Sequence, residues 1–216
     1  MGRPKKSLIS RESAVAAAID VIDADGLDAF SLGSVAQRLG VKAPSLYYHF
    51  NDKAELLALV ARELLVQVQL VRKESETWEE RTISLCVATR RSLLTHPNAA
   101  PLLLQFFPRH VLLGAYERAI SINPVRPELQ MVIQLGLEYL TFGSTLFATS
   151  ALARGMPQMP EFDRERYPSL TRAIAANPFN EEEILVQALR VFFAGVNALT
   201  GGEALGGDRL IGLQTQ

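Results

Sequence analysis

VKAPSLYYHFNDK, residues 41–53, packs a proline, two adjacent tyrosines, a histidine and two lysines into a short stretch. Most of its large side chains end in a polar tip, which suits a surface better than a core. Pro44 fits the first turn of a helix, where its missing N–H costs nothing, and it forces Ala43 out of helical geometry. A two-turn helix is therefore expected from Pro44 to Phe50. Leu46 and Phe50, four residues apart, share its inward face; Ser45, Tyr48 and His49 face away, with Tyr47 at the flank.

The flanking residues frame this segment. Val15, Ile19 and Ile22 form one apolar stripe in a helix expected from about Ser10 to Ala24, with Asp25-Gly26 as its stop. In SLGSVAQRLG, residues 31–40, Ser31 is a good N-cap. Val35 and Leu39 make the inward face there, Ala36 permits a close helix crossing, and Gly40 suits the left-handed C-terminal position. Asn51 or Asp52 caps a long following helix that should continue to about Lys73, with Glu55 as a capping-box partner. Short helices joined by a tight Gly-containing turn follow the helix-turn-helix plan, whose second helix enters the DNA major groove. Tyrosine and serine hydroxyls would donate to phosphate oxygens there, and lysines would neutralise the backbone.

GLDAFSLGSVAQRLGVKAPSLYYHFNDKAELL, residues 26–57, resembles the DNA-binding region of the TetR family of bacterial transcriptional regulators. Members typically carry a helix-turn-helix ending in a Leu-Tyr-Tyr/Trp-His-Phe block followed by a lysine, and the resemblance covers roughly residues 10–65. It implies an all-α protein. Residues 1–65 would be a three-helix DNA-binding domain whose residues 1–9 form a flexible basic arm, and residues 66–216 a ligand-binding and dimerisation domain. The implied partners are a double-stranded DNA operator, an unidentified small-molecule effector and a second copy of the chain, in a repressor that the effector releases.

Carried onto matching positions, the resemblance assigns DNA contact to Ser31, Gly33 and Ser34, then to Lys42, Ala43, Pro44, Ser45, Tyr47, Tyr48, His49 and Lys53. Ser45, Lys42 and the Ala43/Pro44 surface are the expected base readers. Tyr47, Tyr48 and Lys53 are expected to position the chain on phosphates. A partly buried Tyr47 ring is the alternative for that residue. Gly33 departs from the family, since many relatives carry a long polar side chain nearby. In the arm GRPKK, Arg3 would reach the adjacent minor groove, or the arm would add only diffuse attraction.

Composition agrees with this class. At 216 residues, 48% hydrophobic and 21% charged, the chain is long enough to bury a real core and reads as soluble and globular. Strand signals are thin, so an all-helical protein is expected. The net charge of −1 hides an uneven distribution, with Arg3, Lys5, Lys6 and Arg11 preceding acids at Asp20, Asp23, Asp25 and Asp28. The single cysteine, Cys86, excludes an internal disulfide and a cysteine metal cluster, which suits a reducing cytoplasm. The chain opens without a secretory pattern. The apolar region Val132 to Ala153 carries Gln134 and Glu138 and reads as a packed helix with no membrane role. No Gly-rich phosphate loop, HExxH, Gly-x-Ser-x-Gly or Cys/His site is present, so neither catalysis nor a cofactor or metal is expected.

From Thr77 onward the chain reads as helices separated by prolines. In TWEERTISLCVATRRSLLTH the stripe is Ile83, Val87, Arg91 and Leu94, ended by His96-Pro97. A short helix in PNAAPLLLQFF and another in HVLLGAYERAISI follow, then long helices from Glu128 to Ala153 and from Glu181 to about Thr200. Glu181, Glu182 and Glu183 suit the positive N-terminal end of the last helix. Residues 154–168 read as a polar loop, and GGEALGG as a cap and tail. A ligand pocket is expected among Phe106, Tyr116, Gln134, Glu138 and Phe142, an apolar lining with polar anchors. Neither His96 nor His110 supports a metal-bound drug. The resemblance implies an intersubunit four-helix bundle built on the last two long helices, with Gly143, Phe147, Phe192 and Val196 at it; the alternative is that some of these residues belong to the chain's own core.

Overall fold

The computed structural model describes residues 9–66, 68, 76–106, 112–155 and 159–200, and all regular structure among them is helical. Helix α1, Arg11–Asp25, opens on a reciprocal cap: Ser13 N–H donates to the Ser10 hydroxyl at 3.1 Å, and Ser10 N–H to the Ser13 hydroxyl at 2.9 Å. Two of the four N–H groups that a helix start leaves without partners are thereby satisfied. Gly26 ends α1 at φ +81°, a conformation that costs glycine little, and its N–H returns to the Ile22 carbonyl. Helix α2, Leu32–Arg38, repeats the cap with Ser31 and Ser34 and runs out at Gly40, where φ is +69°.

The segment from Pro44 to Phe50 departs from the expected helix. Ala43–Ser45 form a 3-10 turn, and the chain then closes further turns in which His49 N–H and Phe50 N–H both donate to the Leu46 carbonyl, at 2.9 and 3.0 Å. Between the proline and the second anchor there is too little chain to repay α-helix nucleation, and 3-10 geometry serves such short pieces. The anchors themselves stand as expected, with Leu46 and Phe50 at 0% and 1% exposure.

Helix α3, Lys53–Val66, starts with Glu55 N–H donating to Asp52 Oδ1 at 2.8 Å. The return arm of the cap goes one residue further back than expected: Glu55 Oε2 accepts from both Asn51 N–H and Asn51 Nδ2, each at 2.8 Å. The helix does not run on as expected, since Val68 is already outside it; residues 69–73 lie outside the described residues. β-branched Val66 and Val68 in this stretch lose side-chain freedom in a helix and weaken its continuation. Together α1, α2, the 3-10 turn and α3 bury Val15, Ile22, Val35, Leu46, Phe50 and Val60 in a first core.

Six helices follow: α4 (Trp78–Leu94), α5 (Leu102–Gln105), α6 (Leu113–Ser121), α7 (Pro127–Arg154), α8 (Pro168–Ala176) and α9 (Glu181–Leu199). Leu93, Leu102 and Leu103 join the first core, so the end of α4 and α5 pack directly on the N-terminal helices. A second core lies where α4, α7 and α9 meet, holding Cys86, Ile133, Leu137, Leu189 and Phe193, with Trp78 edge-on to Phe193 at 5.4 Å. Burial pushes the Cys86 thiol up from its ordinary pKa.

Two expectations change here. The buried face of α4 is Cys86, Arg90 and Leu93, not the stripe through Ile83, Val87, Arg91 and Leu94. Arg90 tolerates 4% exposure because its guanidinium pairs with Glu181 on α9 at 3.1 Å, while Arg91 grips Glu182 through bonds of 2.7 and 2.5 Å. The glutamate triplet therefore does more than oppose the helix dipole: two members tie α9 to α4, and Glu183 completes the cap with Asn180. Secondly, α8 was not expected; it starts at Pro168, and nearly all its residues are exposed. Helix α7 is long and apolar enough to cross a membrane by length and composition, yet its buried flank carries Glu138, Thr141, Thr145 and Thr149. The GGEALGG segment lies outside the described residues.

Candidate nucleic-acid interface

The N-terminal helices turn polar tips outward from a sealed apolar support. Tyr48 is 88% and Tyr47 59% exposed, directly between the fully buried Leu46 and Phe50. Ser31, Gly33, Lys42, Pro44 and Lys53 are exposed, and Ser34, Ala43, Ser45 and His49 are half-buried. A surface groove of about 390 Å³ brings Ser31 and Gly33 of α2 together with Ala43, Tyr47 and Lys53. The 3-10 turn and α2 thus present one surface. Arg3 lies outside the described residues.

Local bonds sort these side chains by what they have left to give. Ser34's hydroxyl donates to the Ser31 carbonyl at 2.7 Å and accepts from Ser31 N–H at 3.0 Å, so its single proton is committed to the helix cap. Ser31 Oγ accepts from Ser34 N–H at 3.0 Å and donates to Ser34 Oγ at 3.1 Å, so the two hydroxyls are tied to each other within the cap. Lys53 donates to the Phe30 carbonyl at 2.7 Å and sits 5.1 Å from the Phe30 ring centre. It therefore fastens the start of α3 to the loop before α2, with two of its three donors unspent.

One residue at this surface was not singled out from the sequence as more than part of the basic run. Arg11 donates through Nη1 to the His49 carbonyl at 2.7 Å, donates through Nη2 to Glu55, and lies 5.0 Å from the Phe50 ring centre. Hydrogen bonds from Asn51 N–H and then from Arg11 hold the Glu55 carboxyl below its ordinary pKa. The signal available in the sequence was an Arg in the first turn of one helix and a Glu in the first turn of another, with nothing to show that they meet.

Of the expected ligand residues, three converge. Tyr116 of α6 donates its hydroxyl to Glu138 Oε1 at 2.6 Å, and Gln134 Nε2 donates to the same oxygen at 3.2 Å; Glu138 is only 8% exposed. Phe106 and Phe142 instead pack on the first core, and Phe106 lines a separate groove with Leu27, Lys53 and Leu57. Among the described residues no group of three or more His, Cys, Asp or Glu side chains is placed to hold a metal. His96 Nδ1 lies 2.6 Å from Asp23 Oδ2, and Asn98 Nδ2 donates to the Asp23 carbonyl at 2.9 Å, which ties the end of α1 to the turn after α4. His110 lies outside the described residues.

The expected dimer residues divide as well. Phe147 is 74% exposed and Gly143 half-buried. Val196, at 7% exposure, belongs to the chain's own second core, and Phe192 packs against that core with its ring over Gly136. The α9 surface that stays open is carried by Val191 and Leu199.

A polar-tipped turn carried on a braced helix-turn-helix, followed by a larger helical body, defines a helix-turn-helix DNA-binding protein. Residues 14–60 match the family model for bacterial regulatory proteins of the tetR family. An HTH-type transcriptional regulator of Saccharopolyspora erythraea is 34% identical over 97 residues, which cover 45% of this chain and 41% of that protein. The class D tetracycline repressor of Escherichia coli is 25% identical over 223 aligned positions, covering 94% of this chain and 97% of the repressor. Among solved structures, apo ActR from Streptomyces coelicolor superposes with a TM-score of 0.72 at 24% identity, covering 91% of this chain and 98% of ActR. A second ActR structure holds actinorhodin. Residues 14–60 thus carry the DNA-binding region of the tetR family, and over most of its length the chain is similar to DNA-binding transcriptional regulators of that family.

Proposed function

We propose that the chain acts as a homodimeric repressor in the cytoplasm, leaving a pseudo-palindromic operator when a small molecule enters its C-terminal helices. The observation that carries the DNA-facing half is Tyr48, 88% exposed between two side chains that are not exposed at all. A tyrosine so placed has no packing role, and its hydroxyl is free to donate to a phosphate oxygen. Ser45, Lys42 and the Ala43/Pro44 surface read bases; Ser31, Tyr47 and Lys53 fix register on the backbone. Two such segments in one dimer would occupy successive major grooves about 34–36 Å apart.

In this reading residues 1–65 form the DNA-binding domain and residues 66–216 the ligand-binding and dimerisation domain. Tyr116, Gln134 and Glu138 are the polar anchors of the effector site, an assignment supported by their convergence at one carboxylate oxygen. The Asp23–His96 contact and the shared first core give movement of the C-terminal helices a route to α1 and α3. An effector favouring the DNA-incompetent arrangement by about 5.5 kcal/mol would move the population from nearly all bound to nearly all released. The tetracycline repressors and ActR, as relatives and neighbours, support a small molecule as the effector class.

The test is selection of duplexes by the full chain from a randomised pool, followed by Tyr48→Phe on the selected sequence. Loss of one hydrogen bond to a charged group, about 1.5–3 kcal/mol, should weaken binding tenfold or more with an unchanged melting temperature. Failure of the wild-type chain to enrich any duplex would remove the DNA-binding reading, and equal affinity of Tyr48→Phe would remove Tyr48 from the contact.

A further inference from the structure

We propose that Arg11 is a positioning residue for DNA recognition: it joins the DNA-facing segment at the His49 carbonyl to Glu55 in the first turn of α3. This rests on the reading of residues 42–49 as the DNA-facing segment.

The segment makes few bonds of its own. Its 3-10 turn is three residues long, and past it the Leu46, His49 and Phe50 N–H groups close the remaining turns. Its last carbonyls face the difficulty of every helical end, with no following turn to donate to them. Arg11 Nη1 supplies the donor for the His49 carbonyl at 2.7 Å. Nη2 donates to Glu55 Oε1, while Glu55 Oε2 accepts from Asn51 N–H and Nδ2 at 2.8 Å each. The guanidinium also lies 5.0 Å from the Phe50 ring centre. One cation thus touches the carbonyl before Phe50, the Phe50 ring, and the carboxylate that caps the residue after Phe50. Three elements (α1, the DNA-facing segment and α3) are held at a single point.

Arginine suits this role where lysine does not, because its planar fork addresses a carbonyl and a carboxylate at fixed angles together. Its position in the sequence suggests a different task. Arg11 follows the basic run Arg3, Lys5 and Lys6, and by charge alone would be counted among the phosphate contacts. Glu55 separates the two roles. A phosphate-binding Arg11 is hindered by a neighbouring carboxylate and would be freed by its loss. A positioning Arg11 needs that carboxylate, and surface ion pairs add little to global stability, so the variants should still fold.

The duplex enriched by the wild-type chain is titrated with Arg11→Met, Glu55→Gln, their double variant and Arg11→Lys across a range of salt. Positioning gives a loss of about tenfold for each single variant, as the binding-competent population falls to about a tenth. The salt slope stays at the wild-type value, the double variant is no worse than either single one, and Arg11→Lys recovers part of the loss. Tighter or unchanged binding by Glu55→Gln, or a salt slope shallower by about 0.9 in Arg11→Met, makes Arg11 a phosphate contact and overturns the proposal. Hydrogen exchange without DNA supplies an independent arm. His49 and Phe50 amides, both bonded to the Leu46 carbonyl, should exchange faster in Arg11→Met while the amides of α1 and α3 interiors keep their protection. Equal exchange at His49 and Phe50 rejects the brace even if no duplex is enriched, whereas a failed enrichment with altered exchange rejects only the DNA reading.

Discussion

Gly33 shows how much one side chain at this surface leaves undecided. It sits in the first turn of α2, in ordinary helical conformation, and a β-carbon built there would meet only Ser31 Oγ, at 3.5 Å. That is normal contact distance, so nothing in the fold demands glycine. Glycine in a helix costs backbone entropy, roughly 0.5–1 kcal/mol relative to alanine. Gly33→Ala should therefore raise stability by up to about 1 kcal/mol, seen as a higher urea midpoint with an unchanged slope. A drop in the midpoint would mean that the groove beside Ser31 and Tyr47 is tighter than its geometry indicates. The contrast with Ser31 and Ser34 is instructive. Their hydroxyls were singled out as DNA contacts, yet each first satisfies the other's backbone N–H, and Ser31 Oγ also donates to Ser34 Oγ at 3.1 Å, so a phosphate would have to compete with the cap.

At the scale of elements, what could be read from the sequence was what is encoded locally. Ser10 and Ser31 each start a helix with a side chain three residues from its partner, and Gly26 and Gly40 stop helices by backbone conformation. What failed depends on distant chain. The buried face of α4 is turned to include Arg90, because Glu181, far along the sequence, neutralises it. Leu46 and Phe50 were placed inward correctly, but whether the backbone between them is α or 3-10 is settled by the pull of both anchors on a very short piece. Helix α8 had a legible start in Pro168 and an i, i+4 pair in Leu170 and Ile174, yet it buries almost nothing, which left periodicity without a partner face. The α7–α9 contact offers the sharpest test at this scale. A β-carbon on Gly136 would lie 2.7 and 2.8 Å from two ring atoms of Phe192. Overpacking costs about 1–3 kcal/mol, against at most about 1 kcal/mol gained in helix propensity. Gly136→Ala should thus lower the melting temperature, and Phe192→Leu in the same chain should restore part of it. A stabilised Gly136→Ala would show that the ring moves aside freely, and would return Phe192 to the set of side chains available to a partner.

At the scale of the whole molecule, two cores divide the labour, and α7 and α9 keep an apolar face open. The first core seals the helix-turn-helix together with the end of α4 and α5; the second joins α4, α7 and α9. With Val196 inside that second core and Phe192 packed on it, an open apolar surface shared by α7 and α9 includes Val132, Tyr139 and Phe147 on α7 and Val191 and Leu199 on α9. Their spacing of seven or eight residues keeps each set on one side of its helix. Two such faces brought together would make the four-helix packing proposed for the dimer. Phe147 is the residue to challenge, because at 74% exposure it contributes little to the fold of its own chain. Phe147→Arg places a charge at the centre of that face, where pairing would desolvate it without a partner. The variant should sediment with the mass of one chain instead of two, at an unchanged melting temperature measured at low protein concentration. Its affinity for the selected duplex should fall by about 10²–10⁴, since the second half-site is no longer delivered by the first. A Phe147→Arg protein that remains a dimer would move the interface off the α7 stripe. A monomer that binds DNA as tightly as the wild type would break the link between pairing of the helices and reading of two successive grooves.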